Sequence, residues 1–272
     1  MIGRIPLGAL IGLVITTLFF LIAIFARWIA PYGLGDIAGG VWEPMSGKFL
    51  FGTDNLGRDL LSRMIYGAQT TILIAVLATL LSFSMGAILG FTAAVVGGWF
   101  DMLISRCVDL LMAIPTLIFG LVVLSVLPSN VVTLILVMGV LDSTRVFRLS
   151  RAVAVDLNAM DFVEAAKLRG EGKWWVIFAE ILPNALSPLV SELGLRFIYA
   201  VLFLSTLSFL GLGVQPPVAD WGGIVKENKD GIVFGIAAAL IPAAAIAALG
   251  ISVNLVADWV LNRTTSLNGG RG

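Results

Sequence analysis

The sequence predicts an all-α polytopic membrane protein with six transmembrane helices. Three observations carry that expectation. Of the 272 residues, 59% are hydrophobic and 12% charged, where a soluble domain carries roughly 25% charged residues. Six stretches approach the ~20 apolar residues that a helix needs to cross a ~30 Å hydrocarbon core. Thirty glycines supply the small residues that let helices approach closely in lipid.

The first stretch, 8–30, has a longer apolar run than the roughly 7–15 residues of a signal-peptide core and reads as a retained anchor. The second, 70–96, carries "GAILG" at 86–90, a small-xxx-small pair suited to close helix packing. The third and fourth, 107–127 and 130–147, are separated only by "LPSN" (127–130) and should form a hairpin. The fifth and sixth are 188–213 and 233–260; Leu207, Phe209, Leu210 and Leu212 around Gly211 and Gly213 read as packing or gating side chains. Polar segments remain at 31–69, about 145–187 and 214–232. Lys and Arg concentrate on the cytoplasmic side of membrane proteins. Ten of the 17 basic residues, from Arg4 and Arg106 to Arg263 and Arg271, fall on one side, six on the other, and Arg196 within a span. Both termini and the 145–187 segment are therefore expected in the cytoplasm.

Composition excludes several chemistries. A formal net charge of zero offers no electrostatic case for nucleic acid. The absence of histidine removes imidazole metal sites, Ser-His-Asp triads and histidine proton relays. Cys107 stands alone, so no internal disulfide can form. No phosphate-binding G-x-x-x-x-G-K-[ST] occurs: Phe49 follows Gly47-Lys48, and Trp174 follows Gly172-Lys173. No cofactor is expected on this chain.

Of the 34 charged residues, 12 fall between Asp142 and Glu180. Val153, Leu157, Met160 and Val163 share a face at helical spacing and predict a helix over 152–169. Gly170 can stop it, because glycine enters the left-handed cap conformation without steric cost, and Gly172 loosens the same joint. A second helix follows, with Trp174, Ile177, Phe178 and Ile181 on one face and Pro183 and Pro188 marking its end. Two short amphipathic helices meeting at a glycine elbow should lie at the membrane surface. Pattern alone allows an ordinary interfacial loop, with Glu164 and Lys167 as a weak i, i+3 pair. That is the reading the pattern favours; the other is a rigid knob that docks into a groove on a soluble partner.

On the opposite side, "FGTDNLGRDLLSR" (51–63) reads as a capped helix start, with Asp54 or Asn55 as cap and Leu56, Leu60 and Leu61 on one face. A surface for an extracytoplasmic partner, presented by Asp54, Asn55, Arg58 and Asp59, is compatible with that reading. Charges at membrane depth cost about 2.5–3.5 kcal/mol each at a helix centre, so local pairs are expected: Glu192 with Arg196, Arg106 with Asp109, Asp142 with Arg145. Glu192 and Arg196 are also the candidates for contact with a solute, Glu192 for an ammonium group.

"EAAKLRGEGKWWVIFAEILPN" (164–184) resembles the cytoplasmic loop of bacterial ABC importer permeases, which reads EAA, three residues, Gly, nine residues, then I-x-L-P. Glu164, Ala165, Ala166, Gly170, Leu182 and Pro183 match in register, while Glu180 stands at the Ile position with Ile181 one step later. "FGTDNLGRDLLSRMIYGAQTT" (51–71), "GGWFDMLISRCVDLLMAIP" (97–115) and "LSFLGLGVQPPVADWGG" (207–223) are similar to the dipeptide/oligopeptide/nickel subfamily, of OppC/DppC type. The resemblance runs collinearly over about residues 50–262.

The resemblance implies a type I importer permease fold in a bacterial inner membrane. It implies a second homologous permease subunit, two cytoplasmic ABC ATPase subunits that bind ATP and Mg, an extracytoplasmic solute-binding protein, and membrane lipid around the assembly. Residues 1–69 would hold the first transmembrane helix and an extracytoplasmic loop, 70–262 the transmembrane domain with its coupling loop at 152–187, and 263–272 a cytoplasmic tail. Glu164 would anchor the knob, Ala165 and Ala166 would let it pack closely, and Gly170 would make the turn. The chain itself would be no enzyme, and its cargo would be di-/oligopeptides or related small solutes. A proton- or sodium-coupled secondary transporter and a non-conducting assembly subunit are the rival classes. Neither needs a docking knob for an ATPase, and no internal repeat of the kind common in secondary transporters is visible.

Overall fold

The computed structural model describes residues 6–128 and 130–268, with side chains to Leu261. Arg4, Ser129, Arg271 and the side chain of Arg263 lie outside the described residues. The chain runs through α1 (Leu7–Ile24), α2 (Ala26–Ile29), α3 (Leu60–Val96), α4 (Gly98–Ala113), α5 (Thr116–Val126), α6 (Val131–Asn158), α7 (Asp161–Leu168), α8 (Lys173–Trp175), α9 (Leu182–Leu210), α10 (Trp221–Asn228) and α11 (Leu240–Asn268). Among the described residues there is no strand; two isolated bridges, Ile37 to Arg58 and Thr53 to Asp59, tie down the 31–59 segment.

Local chemistry sets several boundaries. Asp59 caps α3 by accepting the Ser62 amide at 2.8 Å, and Asn130 caps α6 through the Thr133 amide at 2.8 Å. Thus Asp59, and not Asp54 or Asn55, is the cap of the helix that the 51–63 segment leads into. Gly97 ends α3 with φ +64, a backbone conformation that favours glycine.

α3 and α6 form the central pair. A methyl group at Gly86 would lie 2.6 Å from the Ser143 carbonyl oxygen, and one at Gly90 2.8 Å from that of Phe147. The predicted small-residue pair is therefore where two backbones meet. α1 runs along α11, where Gly12 abuts the Ser252 carbonyl and Thr16 donates to Ser252 at 3.2 Å. α9 packs against α3, α6 and α11. Ala75, Ala78, Leu134, Leu141 and Leu204 fill the core between these helices.

Four helical stretches are long and apolar enough to cross a membrane: Leu7–Ile24, Leu60–Val96, Lys173–Leu210 and Ala237–Leu261. α4 and α5 make a fifth if counted as one span, although they meet at 88°. That bend corrects the expectation of a straight third span over 107–127. Pro115 lacks the amide that would continue α4, and it holds Ile114 in an extended conformation at ψ 131. α6 has 28 residues, about 42 Å at 1.5 Å per residue, but Asp142, Arg145 and Arg148 fall within its first 18 residues.

The predicted helix over 152–169 is instead two. Residues up to Asn158 extend α6, and α7 starts afresh at Asp161. Nor do Pro183 and Pro188 end the second amphipathic helix. A π-helical turn, Val176–Ile181, joins α8 to α9, which runs on past both prolines. The wider turn lies where the Pro183 ring would otherwise press on the carbonyl four residues earlier.

Candidate functional site

Three features converge on function, and the first is the elbow. α7 stands on two buried residues one turn apart, Val163 and Ala166, while Glu164, Ala165, Lys167 and Leu168 face outward. Leu168 is 83% exposed, an unusual position for leucine at a polar helix end. Gly170 follows with φ +89, and a methyl group there would touch nothing within 4 Å. The turn is thus open to solvent and demands glycine for its backbone alone. Lys167 donates to Asn158 at 2.8 Å, in place of the expected pair with Glu164. On the far limb Ile177 and Ile181 are buried, but Trp174 and Phe178 stack outward with centroids 6.1 Å apart. One predicted apolar face is therefore split between core and exposed surface. Arg169 spans the joint, with its guanidinium 5.7 Å from the Trp175 ring and 3.7 Å from Glu180. Leu182 is half-buried and Pro183 exposed at the start of α9.

The second feature is a groove of about 270 Å³ between α3, α5, α6 and α9, lined by Thr79, Asp142, Arg145, Tyr199, Phe203 and Thr206 among others. Behind it Arg196, buried, donates to Glu192 at 2.7 Å and to Asp142 at 3.2 Å. The Glu192–Arg196 pair is as expected, but two local pairs are not. Asp142 joins Arg196 across helices instead of Arg145 three residues along, and Asp109 takes Arg148 at 2.7 Å instead of Arg106. Spacing on one helix names neighbours, whereas the packed helix beside it supplies shorter contacts.

At the opposite end of the molecule from the elbow, a buried ionic cluster holds the 51–63 segment. One Asp54 oxygen accepts the amides of Leu56 and Arg58 at 2.8 and 2.9 Å; the other accepts Arg58 and Arg63 side chains, both at 2.7 Å. Both arginines also reach Glu227, on α10. Asp54, Arg58 and Asp59 are buried, and Asn55 is half-buried with its amide bonded to Asn228 at 3.0 Å. Three of the four residues expected to present a contact surface are thus internal, because Asp54 and Arg58 pair with each other and Asp59 caps α3. Asp220 caps α10 nearby, and burial pushes its carboxyl up to about 6.

The family model for "binding-protein-dependent transport system inner membrane component" matches residues 86–266. The chain belongs to this family. Relatives agree over nearly the whole length. A Brucella suis protein provisionally named a peptide transport system permease is 37% identical over 91% of this chain and 84% of its own. The di/tripeptide transport system permease DppC of Pseudomonas aeruginosa is 33% identical over 92% of this chain and 85% of its own. The glutathione transport system permease GsiD of Escherichia coli is 32% identical over 89% of this chain and 80% of its own. The permease family places the chain in an inner membrane as a transport component that works with a solute-binding protein and an ATPase. Among the described residues of this permease, no cluster of His, Cys, Asp or Glu could hold a metal ion.

Proposed function

We propose that this permease is one of two paired membrane subunits of an ABC importer for di- and oligopeptides or similar small solutes. The α7–Gly170 elbow is its docking knob for the ATPase. The observation that carries the proposal is the elbow itself: an exposed eight-residue helix on two small buried anchors, ended by a solvent-facing left-handed glycine. This chain leaves Leu168 83% exposed at a polar helix end, so a soluble partner is its natural cover. Glu164 and Ala165 lie on the same outward side, while Ala166 sets the knob close to the core. Because α8, the π turn and α9 are continuous, displacement at the knob is carried along a single rod as rigid-body movement, a recognised switching mode.

The reading extends to topology. α6 is a span in which Asp142 and Arg148 are paired with neighbouring helices, so α4–α5 and α6 complete six spans. The elbow and both chain ends then lie in the cytoplasm, in keeping with the excess of Lys and Arg there. Residues 1–69, 70–262 and 263–272 serve as anchor with outer loop, transmembrane domain and tail. ATP and Mg are handled by two partner ATPase subunits, and this chain binds no cofactor and catalyses no covalent step. Cargo by analogy with the peptide-named relatives is peptide, moving past Asp142, Glu192 and Arg196. The binding protein meets the outer surface through exposed apolar residues such as Leu50 and Leu56, 62% and 53% exposed, while Asp54, Arg58 and Asp59 hold that surface in shape.

Co-purification from detergent tests docking directly. Wild type should retain the ATPase; Glu164→Ala and Gly170→Val should lose most of it while still retaining the partner permease. ATPase retention by both variants would remove the elbow from the docking role.

A further inference from the structure

Arg145, Arg148 and Arg151 succeed one another at three-residue spacing on α6, and α4 provides for two of them. Asp109 pairs with Arg148 at 2.7 Å, and Asp101 grips Arg151 with a second contact at 2.6 Å. α4 then ends at Ala113 and the chain turns away by 88°. Among the described residues Arg145 makes no hydrogen bond and no ion pair; its guanidinium lies 5.6 Å from the Tyr199 ring. It is half-buried in the wall shared by the groove and a neighbouring cavity of about 220 Å³. Its nearest company is that ring and the charge of Asp142 three residues earlier, with no hydrogen bond to either; a guanidinium held so loosely at membrane depth is costly, and such residues mark solute pathways.

The same groove carries the opposite charge one helical turn away. Asp142 and Glu192 share the single Arg196, which leaves that trio with one net negative charge. We propose that Arg145 receives the terminal carboxylate of a zwitterionic dipeptide in the groove, with the Asp142 trio facing its ammonium group. The inference rests on the peptide-cargo reading above and deepens it. A guanidinium presents a planar fork that matches a carboxylate through two hydrogen bonds. Residues three apart on a helix hold their Cβ atoms about 5–6 Å apart, and two extended residues span about 7 Å, so one dipeptide reaches both charges. The groove's 270 Å³ lies just below the roughly 300–1,000 Å³ of drug-sized sites, which suits a dipeptide better than a long peptide. Thr79 and Thr206 both donate to their own helices, at 2.7 and 2.8 Å, and keep acceptor lone pairs on the groove wall.

The test uses the assembled complex in lipid vesicles, with Thr206→Cys as reporter in a Cys107→Ser background. A small thiosulfonate reagent labels the groove thiol without the binding protein present, so that protein's selectivity does not enter. Dialanine should slow labelling by about tenfold, the size of one charge-assisted contact, and dialanine amide should not. Arg145→Gln should abolish the protection and Arg145→Lys should retain a weaker one, which separates lost charge from lost fold. Equal protection by acid and amide, or protection unchanged in Arg145→Gln, would overturn the assignment. So would a thiol that stays unlabelled without peptide, because the partner permease would then fill the groove. Dialanine uptake by the wild-type complex with its binding protein is measured alongside. Uptake without protection removes the role of Arg145 and leaves the cargo reading; neither uptake nor protection removes both.

Discussion

Asp220 caps α10 with one carboxylate oxygen, which accepts the amides of Gly222 at 3.1 Å and Gly223 at 3.4 Å; its other oxygen is buried, with the Ser208 hydroxyl nearby. Burial raises its pKa from 3.8 to about 6, and the charge of Glu227 acts in the same direction. For an acid raised in the folded state, folding favours the proton. Its contribution to stability is therefore greatest below the unfolded value of 3.8 and falls as pH rises through about 6. At about 1.4 kcal/mol per pKa unit the change is on the order of 3 kcal/mol. Asp220→Asn keeps a capping oxygen and cannot ionise. Thermal unfolding of the complex between pH 4 and pH 7 should show the wild type losing stability relative to this variant as pH rises. A constant difference between the two would mean that Asp220 is ionised throughout. The residue scale is also where the sequence was least readable. Arg196 meets Asp142 from 54 positions away and Arg58 meets Glu227 from 169 away, and no spacing rule reaches that far.

The crossing of α3 and α6 is the element on which the others are laid. Gly86→Leu would place a side chain where Ser143 and Val146 already stand 2.6 Å from the first added carbon, and overpacking of this kind costs typically 1–3 kcal/mol. Loss of thermal stability for Gly86→Leu, beside a silent Gly47→Ala control in open space, checks the crossing. Equal stability of the two would show that the helices stand further apart. Helix identity and this contact were legible because both follow from local composition: apolar runs of sufficient length, and small residues four apart. Gly170 was legible for the same reason, as a left-handed position needs little beyond its own backbone. What escaped was continuity. Pro183 and Pro188 read as an end, yet a π turn lets the helix pass them, and Pro115 read as interior yet breaks its span. The effect of a proline on a helix depends on whether packing can hold the altered backbone, and here Ile177 and Ile181 within the π turn and Ala185 just after it are buried.

At the scale of the whole molecule, an elbow at one end and a buried ionic cap at the other are joined by continuous helices. α9 leads from the elbow past Glu192 and Arg196 to Gly211, and α10 then packs beside α3 and α9. On the proposed reading, a displacement passed across the elbow to α8 would have a helical route through the π turn and α9 to the groove. The family implies an ATPase and a solute-binding protein as partners, and this route is how one chain would serve both. The most direct test is peptide-stimulated ATP hydrolysis by the complete complex in lipid, with its binding protein, for wild type and Gly170→Pro. Proline fixes φ near −65°, far from the +89° of this position, so the knob should lose its angle. The account expects stimulation in the wild type and its loss in the variant, with the complex still assembled. Stimulation that survives Gly170→Pro would contradict it, and the elbow would then be an interfacial loop without a part in coupling.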